Sequence, residues 1–275
     1  MNKDLKLRII IGAVFGPFIF FSAIYWEWVF SVIVFLMLIY SLKEFFYLLN
    51  KMDIYHYSIY GYFFGILIFI DFLFFSGRYF FLTFLIFLLS LSPMIFIRRD
   101  KSVLKEISWT FFGTLYLSVF ITAILLILVH VDNVGLQPLA GGKIASLIFV
   151  SVWFLDITAF FTGRRFGRHS FFSSISPQKT LEGAVGGFLG AVISSIIAKH
   201  VYISFLSVWG ALGIGIIVGI FGQIGDLIES AIKRKAGVKD SSPIIPGHGG
   251  VLDRFDSFIL SSPVCYIFVK YFLFN

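Results

Sequence analysis

The sequence predicts an all-α, polytopic integral membrane bundle of about nine transmembrane helices with its N-terminus on the cytoplasmic side. Three observations carry this. Only 13% of the 275 residues are charged while 59% are hydrophobic, and the mean hydropathy is +0.95. A soluble domain carries roughly 25% charged residues, and half that density cannot coat a globular surface. The apolar runs are long enough to span a bilayer, which takes about 20 residues each. The basic residues, finally, fall on alternate loops.

The first span, 9–25, follows Lys3, Lys6 and Arg8 as a secretory signal would. No small-residue cleavage site precedes the next apolar run, so it reads as a retained helix. The second, 28–42, is short and could continue through 45–49 as an interfacial helix, with Glu44 and Lys43 an interfacial pair. Spans at 57–75, 79–97, 109–129 and 144–161 follow, then 183–199, 205–228 and 251–272. Alternating them across the membrane leaves only Arg78, Lys143, Lys199 and Lys270 outside, out of 22 basic residues. This is the positive-inside distribution. It accounts for the +7 net charge without nucleic acid and fits a bacterial plasma membrane.

Glycine divides the chain. Residues 1–135 hold seven of the 25 glycines and 136–275 hold the rest. Gly183 with Gly187, Gly186 with Gly190, and Gly215 with Gly219 are small-xxx-small pairs that let helices approach closely in lipid. Residues 1–135 therefore read as a Phe-rich scaffold or lipid-facing wall and 136–275 as the tightly packed region. Cys265 is the only cysteine, which excludes an intramolecular disulfide and a thiolate metal cage and leaves it a packing role. Asp71 stands alone in its span and reads as packing or interfacial. His56, His130, His169 and His200 lack metal-ligand spacing and read as surface.

Charge at membrane depth is costly, so a cluster of it marks a functional site. One cluster runs from Gly225-Asp226 to Asp253-Arg254-Phe255-Asp256-Ser257. Glu229 and Ser230 lie three and four residues beyond Asp226, on one helix face, and Asp253 and Asp256 are likewise three apart. Two helix ends flanking one loop can thus aim several carboxylates at one point. Mg²⁺ takes one or two carboxylates plus substrate phosphates. Lys233, Arg234, Lys239, His248 and Arg254 suit the phosphate oxygens that a metal does not reach. The glycines of Pro246-Gly247-His248-Gly249-Gly250 open a helix whose amides can cradle an anion. A second polar segment, Ser176-Pro177-Gln178-Lys179-Thr180-Leu181-Glu182-Gly183, stands at the mouth of a Gly-rich helix. Its Lys179, Thr180 and Glu182 suit a nucleotide or a lipid headgroup, or simply a basic loop with a helix cap. Asp156 lies two helical turns before Gly163.

These residues resemble the integral-membrane phosphatidate cytidylyltransferases, or CDP-diacylglycerol synthases. The resemblance rests on Ser230-Ala231-Ile232-Lys233-Arg234, Lys239-Asp240 and Pro246 through Asp256, with 176–183 as a second characteristic stretch. It covers roughly the last 120 residues. Gln178 stands where the family often has lysine, and Phe160 where it often has tyrosine. The resemblance implies CTP and phosphatidate as substrates, within membrane lipid and with the active site facing the cytoplasm. It implies catalytic roles for Asp226, Lys233, Lys239, His248, Asp253, Arg254 and Asp256. Mg²⁺ would sit on Asp226, Asp253 and Asp256, with room for a second cation. Ser176, Lys179, Thr180, Glu182, Arg234, Gly249 and Gly250 would bind substrate. A homodimer is compatible with it. The competing readings are a CTP-dependent transferase for another lipid acceptor and a cation- or proton-coupled transporter using Asp71, Asp156 and Asp226.

Overall fold

A computed structural model describes residues 3–98, 100, 102–172, 175–242 and 249–274, with side chains from residue 13 onward. Eleven helices follow one another: α1 Lys3–Tyr25, α2 Glu27–Lys51, α3 Ser58–Phe74, α4 Phe80–Leu91, α5 Met94–Ile97, α6 Val103–Val134, α7 Ala140–Phe166, α8 Leu181–Tyr202, α9 Val208–Ile217, α10 Gln223–Lys235 and α11 Leu252–Phe268. Five-residue π turns join α9 to α10 (Val218–Gly222) and extend α11 (Val269–Leu273). No strand forms among the described residues; Ser170 and Thr180 make an isolated antiparallel bridge.

Among the described residues, seven helical stretches are long and apolar enough to cross a membrane. The remaining two expected spans, 9–25 and 57–75, fall on the shorter apolar helices Ala13–Tyr25 and Ser58–Phe74. Residues 45–49 are not a separate interfacial helix. They are the last turns of α2, where Phe45, Phe46, Leu48 and Leu49 are buried.

The 32-residue α6 is the central post, packed on α2, α3, α7 and α11. Its Leu117, Ile121 and Ile124 are fully buried. Phe149 of α7 stacks on Phe258 of α11 at 4.4 Å and meets Phe30 of α2 edge-on at 5.9 Å, which ties the two halves into one core. Helix α4 is the opposite case: Phe81, Leu82 and Leu89 are exposed, as suits a wall facing lipid.

The glycine pairs behave as close-approach devices. A Cβ on Gly183 would lie 3.0 Å from Ala159 O, and one on Gly187 would lie 3.0 Å from Leu155 O; Gly186 and Gly190 press on Thr162 and Thr158. The α7–α8 pair is therefore packed backbone to backbone.

The loops expected on the inner side gather at one end of the bundle. There Arg98 pairs with Glu106 at 2.9 Å and its guanidinium lies over Tyr55. Lys235 lies over Trp109, and Arg234 Nε donates to Ile175 O at 3.3 Å. At the other end His130 bonds Phe274 O and Gly141 N donates to Asp132. Asp71 is buried there and accepts from Tyr79 N at 2.9 Å, holding the turn after α3. Its other carboxylate oxygen is buried without a hydrogen-bond partner. His56 is half-buried, not a surface residue: it bonds Asn50 Oδ1 at 3.1 Å and stacks on Phe46. Burial pushes its pKa down.

Candidate active site

The charged cluster is built on the α10–α11 pair. After the π turn, α10 carries Asp226, Glu229, Ser230 and Lys233 on one stripe at three- and four-residue spacing, so all four meet the same neighbours. That stripe can sit against α11 because Gly225 has no side chain; a Cβ there would lie 2.5 Å from Asp256 O. The opposite face of α10 is apolar. Leu227 and Ala231 line a groove of about 500 Å³ with Phe171, Phe172 and Ile175, away from the charges.

Two polar segments that lie far apart in sequence converge here. Lys179 Nζ stands 2.6 Å from Asp226 Oδ2, with both side chains under one-third exposed, and Ser230 Oγ approaches the other Asp226 oxygen at 3.4 Å. Asp156 on α7 accepts from Ser257 Oγ at 3.3 Å. It is within Coulomb reach of Asp226, Arg254 and Lys179. Asp256 faces Asp226, Glu229 and Asp156 and accepts from Ser257 N at 2.6 Å. Tyr116 of α6 also faces Asp256 and Glu229.

Asp253 is differently placed. Its Oδ1 takes Lys233 Nζ at 2.6 Å. Its Oδ2 takes Ser241 N at 2.8 Å, Ser241 Oγ at 2.9 Å and Gly250 N at 2.8 Å. Lys233 also pairs with Glu229, one turn back. Gly249 adopts φ +84°, and a Cβ there would lie 2.8 Å from Asp253 Oδ2. Only glycine combines that conformation with that approach.

The other expected residues have these places. Thr180 caps α8, its Oγ1 accepting from Gly183 N at 3.1 Å. Glu182 accepts from Arg168 N at 3.0 Å and His169 Nδ1 at 2.7 Å, folding the preceding loop back on the helix. Arg234 binds two backbone carbonyls, Ile175 O and Val238 O. Ser176 lies in the turn before Lys179, whose N donates to Ser176 O. Lys239 and Arg254 are exposed. His248, with Pro246 and Gly247, lies outside the described residues.

Sequence reasoning missed Glu44. It is not an interfacial partner of Lys43. It is 1% exposed and accepts from Ser241 Oγ, Ser242 Oγ, Val251 N and Leu252 N at 2.9, 2.5, 2.9 and 2.7 Å. The signal was available in helical spacing: Met37, Ser41, Glu44 and Leu48 form one stripe, all buried.

Five carboxylates (Asp156, Asp226, Glu229, Asp253 and Asp256) thus cluster with the cations Lys179, Lys233 and Arg254. Among the described residues no three His, Cys, Asp or Glu side chains already stand in metal-ligand geometry. An excess of negative charge in this cluster still fits a hard dication, which needs only one or two protein carboxylates when phosphates complete its shell. The transporter reading fares worse. Asp71 is tied into a turn at the opposite end of the bundle, away from Asp156 and Asp226.

Over 116 residues the chain is 47% identical to the phosphatidate cytidylyltransferase of Staphylococcus haemolyticus (strain JCSC1435). It is 46% identical over 117 residues to that of Staphylococcus aureus (strain COL), and 44% identical over 116 residues to that of Staphylococcus epidermidis. Each alignment takes in 42% of this chain and 45% of the relative's length. The cytidylyltransferase family matches residues 6–272, almost the whole chain, and this protein belongs to it.

Proposed function

We propose that this protein is a phosphatidate cytidylyltransferase of a bacterial plasma membrane, with its site on the cytoplasmic side. It transfers CMP from CTP to phosphatidate, giving CDP-diacylglycerol and pyrophosphate. The observation that carries the reading is the Lys179–Asp226 contact. It brings the 176–183 segment onto the acidic stripe of α10, where a polyphosphate and a lipid phosphate can meet. The basic inner loops and the position of the cluster at a bundle end suit a water-soluble nucleotide and an interfacial headgroup.

In the reaction a phosphatidate phosphate oxygen bonds to the α-phosphorus of CTP as the bond to the β-phosphate oxygen breaks, and pyrophosphate leaves. The nucleophile is already an anion, so a general base contributes little. Electrostatic screening matters most, since one anion attacks another. Lys179, Lys239, His248 and Arg254 take the phosphate oxygens in this reading, with Ser176 and Thr180 beside them. Lys233 is engaged by Glu229 and Asp253 and holds the stripe in register. Asp226 and Asp256 would hold Mg²⁺, which when bound supplies charge neutralisation and orients the attacking and leaving oxygens. Asp253 would join them only by releasing Lys233. Asp156 repels Asp226 and Asp256 and thereby favours cation binding. The 1–135 and 136–275 regions act as scaffold and catalytic region.

The test is Mg²⁺-dependent pyrophosphate release from CTP and phosphatidate in detergent, beside Asp226→Asn. We expect release by the parent protein. In the variant kcat should fall by on the order of 10³-fold or more, the scale of losing an electrostatic transition-state group. A folded parent protein that releases pyrophosphate only with a different lipid acceptor would move the reading to another CTP-dependent transferase.

A further inference from the structure

We propose that Glu44 is a positioning residue for this site: its carboxylate, supplied by α2, holds together the two ends of the 241–252 segment, Ser241–Ser242 and Val251–Leu252 at the start of α11. The claim rests on the function above only for its kinetic arm.

A buried carboxylate without partners is costly, and Glu44 is 1% exposed. It makes no ion pair among the described residues. Four hydrogen-bond donors compensate it instead. Two are hydroxyls, Ser241 Oγ and Ser242 Oγ, at the start of the segment. Two are the amides of Val251 and Leu252 at its end. These amides open α11, where helix N–H groups have no intrahelical partner and the helix dipole favours an anion. One carboxylate therefore joins Ser241 and Ser242 to the first amides of α11.

Two further observations bear on the same contact. A Cβ on Gly250 would run into both Ser241 Oγ and the Glu44 carboxylate, so the glycine run leaves the space that Glu44 fills. Ser241 Oγ also stands 2.9 Å from Asp253 Oδ2, and its single proton serves the two carboxylates in turn. Glu44 is thereby continuous with Asp253, Lys233 and Glu229 across α2, α11 and α10. The segment that it closes carries Gly249 and Gly250 and follows directly on Lys239-Asp240, and α11 carries Arg254 and Asp256 in its first turns. Glu44 touches none of the reacting groups, so it acts through the backbone that it holds.

The experiment is hydrogen exchange by mass spectrometry on full-length Glu44→Gln and Glu44→Asp in detergent, with CTP kinetics on the same samples. Glutamine keeps the size but turns an NH₂ group toward donors. In Glu44→Gln we expect amide exchange at 249–253 to speed up by on the order of tenfold or more, the effect of losing hydrogen bonds to a charged group. The KM for CTP should rise by at least about tenfold for the same reason, more than kcat falls, and Glu44→Asp should recover part of both. If Glu44→Gln does not fold, Ser242→Ala removes one donor and should show the same changes at smaller size. Unchanged exchange would overturn the proposal. So would faster exchange with unaltered CTP kinetics, or a lower melting temperature alone. Exchange needs no substrate: faster exchange in a protein whose parent form does not turn over CTP would overturn the proposed function and leave the positioning role standing.

Discussion

The buried acids of the N-terminal helices and the more open acids Asp156, Asp226 and Asp256 of the C-terminal helices are handled differently. Glu44 has four donors. Glu106 has Arg98 and Ser102, and Asp71 has a backbone amide. Glu44 and Glu106 are compensated by fixed partners within the fold, while Asp71 keeps one oxygen buried without a hydrogen-bond partner. Asp156, Asp226 and Asp256 instead face one another, with Lys179 and Arg254 nearby. Compensated charge stabilises a structure. Charge left crowded at membrane depth is a cost that persists only where a ligand or reaction relieves it. Asp253, also in the C-terminal half, is held as firmly as Glu44, by Lys233, Ser241 and Gly250.

Three substitutions probe this contrast. The largest expected effect is at Lys233, which separates Glu229 from Asp253 and is only 10% exposed in its side chain. Lys233→Met leaves both acids buried without a cation. It should lower stability by about 3–5 kcal/mol, the scale for breaking a buried pair, seen as a large drop in thermal midpoint in detergent. A midpoint that does not move would mean that the C-terminal acids are as independently compensated as Glu44.

Next comes the helix contact that carries Asp156. Gly186 on α8 presses against Thr162 of α7, so Gly186→Leu must part the two helices. We expect a loss of about 1–3 kcal/mol from overpacking, with pyrophosphate release reduced further as Asp156 shifts from Asp226. Stability loss with activity per folded molecule intact would separate the α7–α8 contact from the site.

The smallest effect belongs to Asp71. Asp71→Asn keeps an acceptor for Tyr79 N and removes a buried charge. Stability should change by no more than about 1 kcal/mol, the net worth of one hydrogen bond, and CTP turnover should not change. A substantial loss of turnover would bring Asp71 back as a functional acid.

Much of this was legible in the sequence because the relevant signals are local. Apolar run length marks a span, and the basic residues mark the ends that gather at one side. Glycines four apart on α8 announced the α7–α8 approach, and the spacing of Asp226, Glu229 and Lys233 put them on one stripe. The chain alone therefore determined an all-α membrane bundle with a charged island near its C-terminus, and its motifs resembled the family to which it belongs. Tertiary structure decided how each charge is used. Glu44 meets Ser241 across 197 positions, Lys179 closes on Asp226, and Asp253 turns its oxygens to Lys233, Ser241 and Gly250. Local spacing cannot report such contacts. Whether a buried carboxylate is an anchor or an open ligand depends on which donors the fold brings within about 3 Å of it, and those donors come from helices far apart in the chain.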